Sequence, residues 1–314
     1  MAKESTIRKG MNQRNRSRKL WYTAVIFLPV LQFCIFYIYA HANSFILAFQ
    51  AYKLNPSGRG YIIDFAGFDN FKTAFQIIGE NIFMLKNSFV FFLLASIAGL
   101  TLAIIFSFYV YKKYWLSGTF RVVLFLPAVV SHTVIAMLFY YLCMDVYPYI
   151  VELTTGQSSV GLFNIPTLRF PAVVLFNLWI GFGANVILFS GSMSGINPSV
   201  VESAQIDGAN IIQEFWYVTL PSVYPTLVTF LIVQVSNIFM NQMELYTLFG
   251  NEAGDLSTFG YFFYLQTTKS DILSSQGYYS YSELSATGLI FTAILFPITY
   301  FGRKLLEKFG PSVD

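Results

Sequence analysis

The chain has 314 residues, of which 55% are hydrophobic, 19% aromatic and 11% charged, and its formal net charge is +3. An ordinary soluble domain carries about 25% charged residues, and this chain must also bury 34 Phe and 21 Tyr. The composition excludes a soluble enzyme, a disordered regulator and a nucleic-acid binder, and it predicts an integral membrane protein.

The amino-terminal tail is basic and leads into an apolar run. Residues 1–19 hold seven Lys and Arg, whereas residues 20–52 contain no charged side chain. Such a tail normally stays on the cytoplasmic side of a membrane, and nucleic-acid binding is the alternative. Residues 40–42 (Ala-His-Ala) resemble a signal-peptide cleavage site. The apolar run is nevertheless longer than the roughly 7–15 residues of a signal-peptide core, which favours a retained anchor helix.

Six apolar runs reach the length of roughly 20 residues that a membrane-spanning helix needs. The predicted spans are about 21–42, 88–111, 122–144, 170–193, 222–243 and 284–302. Pro29 is expected to kink the first span, and Pro127 lies near the start of the third. No linker or repeat divides residues 20–314, so we expect one all-α membrane domain after the basic tail 1–19.

The distribution of Lys and Arg predicts that both termini are cytoplasmic. The segments then assigned to the cytoplasm hold thirteen Lys and Arg and the external ones hold six, in agreement with the positive-inside rule. The cytoplasmic segments are 1–19, 112–121, 194–221 and 303–314, and the external ones are 53–87, 145–169 and 245–283. Segment 194–221 has no Lys or Arg but three acids, Glu202, Asp207 and Glu214. This exception needs a reason other than topology.

Segment 194–221 has the pattern of two short helices. Ser199 and Glu202 have the spacing of a capping box, and Pro198 favours a helix start. The first helix is expected to end at Gly208, which can adopt the left-handed conformation.

The second short helix is expected to run from Asn210, as its cap, to about Thr219. Leu220 and Pro221 should break it and begin the fifth span. A helix–turn–helix on the cytoplasmic face results. The alternative is that the loop is an ordinary surface helix between two spans.

The residues of this segment also resemble a known motif, the EAA loop of ABC importer permeases. The shared pattern is E-S-A-x-x-D-G-A, an aromatic residue seven positions beyond the Gly, and L-P-x-x-x-P. The matching positions are Glu202, Ala204, Asp207, Gly208, Ala209, Leu220, Pro221 and Pro225. Ser203 departs from the Ala that is common there. Further segments that look like those of sugar-importer permeases are FAGFDNFKTAF (65–75), RVVLFLPAVVS (121–131), GLFN (161–164) and LEKFGPSV (306–313).

The resemblance implies a type I ABC importer permease of the maltose- and oligosaccharide-type subclass. Such a subunit has six transmembrane helices and a cytoplasmic coupling helix between spans 4 and 5, and lies in the bacterial cell membrane. The large external domain of enterobacterial maltose permeases is missing, because 53–87 is too short for it. The implied ATPase-coupling residues are Glu202, Ser203, Ala204, Asp207, Gly208, Ala209, Leu220 and Pro221.

The resemblance also implies partners. They are a second permease, two cytoplasmic ATPase subunits and an extracytoplasmic sugar-binding protein. No cofactor is expected on this chain, because ATP and Mg²⁺ would be used by the ATPase subunits.

A neutral sugar offers hydroxyls and apolar ring faces, so amides and aromatic rings would suit its route. Polar residues spaced to share one helical face are Gln234, Asn237, Asn241 and Glu244. They indicate a substrate pathway, with interhelical hydrogen bonding as the alternative. Asn177 and Trp179 are weaker candidates, since Gly181 and Gly183 beside them favour close helix packing.

No catalytic or metal site is recognisable. Gly156–Phe163 begins like a phosphate-binding loop, but Leu162 and Phe163 replace the required Lys-Ser/Thr. The two histidines, His41 and His132, are far apart in the sequence. A membrane enzyme would need convergent acid–base groups. The alternative function is a secondary transporter of a small neutral solute, which would be expected to show repeated halves or membrane-embedded charges.

Overall fold

The computed structural model describes residues 2–55, 61–269 and 279–311. Parts of four predicted segments lie outside the described residues. They are residue 1 of the basic tail 1–19, residues 56–60 of the external segment 53–87, residues 270–278 of the external segment 245–283, and residues 312–314 of the cytoplasmic segment 303–314.

The described part of the chain is mostly helical. The first helices in chain order are α1 (Ala2–Phe33), a π-helical turn (Cys34–Tyr39), α2 (Ala40–Ala48), α3 (Asp69–Glu80) and α4 (Ile82–Tyr111). The next are α5 (Ser117–Val129), α6 (His132–Tyr141), a π segment (Leu142–Val146), α7 (Tyr147–Thr155) and α8 (Pro166–Ser194). The last are α9 (Pro198–Ile206), α10 (Ile211–Glu214), a π segment (Phe215–Thr219), α11 (Leu220–Ser236), α12 (Leu245–Phe249), α13 (Phe259–Lys269) and α14 (Tyr281–Phe309).

Within the described residues, six helical stretches are long and apolar enough to cross a membrane, which confirms the predicted number. They are Arg18–Ala48, Ile82–Tyr111, His132–Thr155, Pro166–Ser194, Ile211–Ser236 and Tyr281–Phe309.

One compact unit consists of residues 1–75 and 271–289. Its long helix runs through Pro29 without a break, and a hairpin of β1 (Gln50–Leu54) and β2 (Tyr61–Phe65) follows α2. The Asn70 amide donates to the carbonyl oxygens of Ala48 and Gln50, at 2.9 Å each. Since the last carbonyls of a helix lack intrahelical partners, Asn70 satisfies groups where α2 gives way to the hairpin.

The other unit consists of residues 76–270 and 290–314 and holds the second to fifth spans and residues 290–309 of the sixth. Its helices α4 and α8 pack along each other, and the Ser107 hydroxyl donates to the carbonyl of Val186 at 3.0 Å. Phe176 and Phe189, both on α8, are fully buried. Helix α8 is therefore the central element of this unit.

The prediction of a single third span over 122–144 is wrong. The chain there forms two helices, because α5 ends at Val129 and α6 begins at His132. Val130 is extended, with ψ of 149°. Pro127 lies inside α5 and has no backbone N–H to donate, which weakens the end of that helix. The stretch long enough to cross the membrane is His132–Thr155.

Candidate functional site

The first helix of the segment 194–221 begins two residues earlier than predicted, because its cap is Asn197 and not Ser199. The side chain of Asn197 accepts hydrogen bonds from the backbone N–H and the hydroxyl of Ser199, at 3.1 and 3.0 Å. Asn197 is therefore the cap, and Pro198 occupies the first helical position. The predicted capping box of Ser199 and Glu202 is wrong, because Asn197 is itself a strong capping residue and stands before a Pro that suits that position.

The turn between α9 and α10 depends on Gly208. Its φ is +84°, a left-handed value as predicted, and its N–H donates to the carbonyl of Gln205 at 3.1 Å. The Ala209 N–H donates to the carbonyl of Ala204 at 3.0 Å. These two half-buried alanines are thus joined across the turn by a backbone hydrogen bond. This close contact accounts for the small residues at both positions of the motif.

Asn210 caps the second helix, as predicted. Its side chain accepts from the Gln213 N–H at 2.9 Å, and the Gln213 side chain accepts from the Asn210 N–H at 2.8 Å. This reciprocal pair is the capping box of the segment.

The predicted break at Leu220 and Pro221 is absent. The helix continues from Ile211 to Ser236, and the irregularity is the π segment just before Pro221. The π-helix is rare and occurs mostly as single-turn insertions of this kind inside α-helices. The second short helix and the fifth span are therefore one continuous rod.

The acidic residues of the segment fall into two groups. Glu202 and Asp207 are exposed, as is Ser203, and neither carboxylate has an ion-pair partner within the described part of the chain. Glu214 is only 2% exposed. It forms an ion pair with Lys112 and accepts a hydrogen bond from the Gln205 amide. The exposed carboxylates remain available for a partner, whereas Glu214 joins elements within the chain.

The predicted helical stripe of four polar residues is wrong in its geometry. Helix α11 ends at Ser236, and Asn237 caps it. The Ser236 hydroxyl and the Asn237 amide both bond to the carbonyl of Val233, at 2.9 Å each. Side chains that bond nearby carbonyls in this way compete with the helical pattern, and Asn241 and Glu244 therefore lie beyond the helix.

Three of the four residues nevertheless line one cleft. Gln234, Asn237 and Asn241 surround a narrow space together with Ser88 and Phe92 of α4. Asn241 also accepts from the N–H of Met243 at 2.8 Å. The cleft thus offers amide groups beside an aromatic ring.

Glu244 lies apart from this cleft and meets a residue that sequence reasoning left unassigned. Its carboxylate accepts from the Thr247 hydroxyl at 2.8 Å and lies 3.4 Å from Nδ1 of His132. Both residues stand at interruptions, since His132 begins α6 and Glu244 has a left-handed φ of +55°. Irregular backbone at membrane depth occurs where it is buried in protein or lines a cavity.

The two weaker candidates differ in role. The Asn177 amide donates to the carbonyls of Val173 and Met243, at 2.9 Å each, so it fixes the irregular segment after α11. Trp179 is 46% exposed. Gly183 packs directly on the backbone of α5, whereas Gly181 does not. The geometry here matches the packing alternative.

Among the described residues, no group of three His, Cys, Asp or Glu side chains could hold a metal ion. Two candidate sites remain. One is the exposed surface of residues 202–208, which we call the α9 turn, and the other is the amide-lined cleft.

Comparison with known proteins identifies the family. Residues 87–313 match the family described as "Binding-protein-dependent transport system inner membrane component". The chain belongs to this family. The permease is thus a multi-pass membrane subunit of a transport system and not an enzyme, as the resemblance predicted.

Two curated relatives illustrate the similarity. The permease is 27% identical over 314 residues to "Multiple sugar-binding transport system permease protein MsmF" of Streptococcus mutans, covering 97% of this chain and 99% of that protein. It is 29% identical over 242 residues to "Galactooligosaccharides transport system permease protein GanP" of Bacillus subtilis, covering 73% of this chain but only 57% of that protein.

A solved structure shares the fold. It is a chain of a bacterial ABC transporter involved in the import of the acidic polysaccharide alginate, with a TM-score of 0.72. The match covers 93% of the permease and 97% of that chain at 20% sequence identity. The expected type I ABC importer permease fold is therefore confirmed.

Proposed function

We propose that the permease forms half of the translocation pathway of an ATP-driven importer of a sugar, most simply an oligosaccharide. Its partners would be a second permease, two cytoplasmic ATPase subunits that use ATP and Mg²⁺, and an extracytoplasmic sugar-binding protein. The family assignment supports the transport role and the binding-protein partner. The sugar and galactooligosaccharide systems of MsmF and GanP support the substrate class.

The observation that carries the coupling role is the exposed α9 turn. Glu202 and Asp207 face outward without ion-pair partners in the described chain, and the exposed Ser203 between them bonds only to carbonyls of its own helix. Asn197 and Asn210 cap the helices on either side. An ordered surface of this kind is a better docking element than a flexible loop, because a flexible loop would lose conformational entropy on binding. Its acidic character suits a cationic groove and explains why the segment departs from the positive-inside rule.

The orientation follows from the same proposal. With the α9 turn in the cytoplasm, both termini are cytoplasmic and thirteen of the Lys and Arg lie on that side. ATP binding to the partner subunits would favour one of two conformations of the membrane bundle. The continuous helix from Ile211 to Ser236 would transmit the movement into the membrane.

The proposed pathway for the sugar includes the amide-lined cleft. Gln234, Asn237 and Asn241 offer both donors and acceptors for hydroxyl groups, and Phe92 offers a ring face. Glu244 and Trp179 stay candidates for the same pathway, whereas Asn177 is occupied by two carbonyl groups.

Copurification of the tagged permease with candidate ATPase and permease subunits, followed by reconstitution in liposomes, tests the function. We expect ATP hydrolysis that rises when binding protein and an oligosaccharide are added, and none from the permease alone. Uptake driven by an ion gradient without any ATPase subunit would contradict the proposal.

A further inference from the structure

Glu214 is the most deeply buried carboxylate of the α9–α10 region, and the coupling surface does not use it. Its side chain is 3% exposed and that of Lys112, its ion-pair partner, is 17% exposed. Burying a charge is costly unless it is paired and hydrogen-bonded. Both conditions are met, since the Gln205 amide donates to the second carboxylate oxygen at 3.2 Å.

The three residues belong to three different elements. Gln205 lies on α9, Glu214 ends α10, and Lys112 immediately follows α4, the second span. We call Gln205, Glu214 and Lys112 the Glu214 bridge. It connects the proposed docking helix with a span that ends 87 residues before it, at Tyr111 against Pro198, and has no direct chain connection to it.

Aromatic packing supports the bridge. The ring of Phe215, next to Glu214, meets the ring of Phe108 edge-on with centroids 5.0 Å apart. The Lys112 ammonium lies 5.8 Å from the Phe108 ring centroid. The ion pair is thus surrounded by apolar groups, where low local polarity strengthens it.

We propose that Glu214 is a positioning residue that makes the end of the second span move together with the coupling helix. The inference rests on the proposed function. Chain connectivity alone would transmit movement of α9 only to the fourth and fifth spans. The Glu214 bridge adds the second span, so that three spans respond as one body when the ATPase subunits close.

Spin labels in the assembled importer can test this. Cys34 and Cys143 are first replaced, and labels are then placed at Trp115, whose side chain is 81% exposed, at Ser203 and in the ATPase groove. With ATP and vanadate as the probe, both permease labels should shift relative to the ATPase, and the distance between them should stay constant.

Glu214→Gln removes the charge and keeps the shape of the side chain. We expect the fraction of complexes in which the Trp115 and Ser203 labels move together to be about tenfold lower than with the unmodified bridge. A tenfold effect lies within the usual range of coupling between two sites. The charge-swapped pair Lys112→Glu with Glu214→Lys should restore it. Lys113→Gln is the matched control, because Lys113 is the exposed neighbour of Lys112, and it should change nothing.

The outcomes separate the bridge from the function. If ATP moves the Ser203 label while the Trp115 label of the unmodified bridge stays behind, the bridge proposal is wrong and the coupling role stands. If ATP moves neither label relative to the ATPase, the proposed function itself is wrong. Equal movement of both labels in Glu214→Gln and in the unmodified bridge would show that the ion pair only stabilises the fold.

Discussion

At the scale of single residues, the three acids of segment 194–221 differ in burial. Glu202 and Asp207 are exposed and unpaired within the described residues, whereas Glu214 is buried against Lys112. The sequence pattern identifies all three as acids in a segment without cations, but it contains no signal for which of them turns inward. That distinction depends on Lys112, which only the folded chain brings close.

Substitutions of Gly208 test the turn between α9 and α10. Its φ of +84° disfavours any L residue, although a Cβ there would meet nothing within 4 Å. Gly208→Ala should therefore destabilise the turn by about 1–2 kcal/mol, the cost of a left-handed L residue. Gly208→Asn should cost less because Asn tolerates this region, and Gly208→Pro should cost most because its φ is fixed near −65°.

Thermal unfolding and ATP-driven uptake on one preparation measure the series. Uptake should decline in the order Asn, Ala, Pro while the protein stays in the membrane. Normal uptake by Gly208→Pro would contradict the role of this turn.

At the scale of helices, two helices stop inside their predicted spans. The predicted third span is divided at Val130, and the helix of the fifth ends at Ser236. Apolar run length predicts that a span exists, but it does not reveal where the helix stops inside the run. The stops depend on local side-chain bonds such as that of Asn237 to Val233 and on tertiary bonds such as that of Asn177 to Met243.

Features that depend on local contacts could be predicted from the sequence, whereas features that depend on tertiary contacts could not. The capping of α10 by Asn210 and the turn at Gly208 are local and were predicted correctly. The predicted polar stripe from Gln234 to Glu244 required one continuous helix, but α11 ends at Ser236. Its amides still meet in one cleft because the chain folds back beside α4.

Packing of α8 on α5 gives a matched pair of glycine substitutions. A Cβ at Gly183 would lie 1.9 Å from the carbonyl oxygen of Leu124, whereas a Cβ at Gly191 would meet nothing within 4 Å. Gly183→Ala should lower stability by about 1–3 kcal/mol through overpacking. Gly191→Ala, on the same helix, should raise it by up to about 1 kcal/mol. Thermal unfolding in detergent compares the two, and equal stability of both variants would contradict the packing described.

The cleft can be tested against the packing alternative. Replacing Asn237 and Asn241 by Leu should abolish uptake while leaving subunit assembly intact, since the cleft would lose its hydroxyl partners. The stability of this double variant should fall no more than that of Asn177→Leu, because each variant leaves one backbone group of Met243 unpaired. Asn177→Leu is the control, because it leaves the Met243 carbonyl unpaired and should lower stability first. Assembly and uptake are measured on the same preparation. Loss of assembly in the double variant would favour the packing alternative.

At the scale of the whole molecule, the spans expose apolar surfaces, whereas the turn that we propose as the docking element exposes polar side chains. Trp216 and Tyr217, which follow α10, are exposed. The charged and aromatic residues near α9 and α10 therefore form the part of the chain best suited to a protein partner. We propose that this surface meets the ATPase from the cytoplasmic side.

Cysteine cross-linking in the assembled importer tests that claim most directly. In a background without Cys34 and Cys143, a cysteine at Ser203 should cross-link to the groove of the partner ATPase, and ATP should change the yield. A cysteine at the exposed Ser158, on the proposed external side, should give no product with the ATPase. A cross-link from Ser158 together with none from Ser203 would mean that the topology is inverted and that the coupling mechanism is wrong.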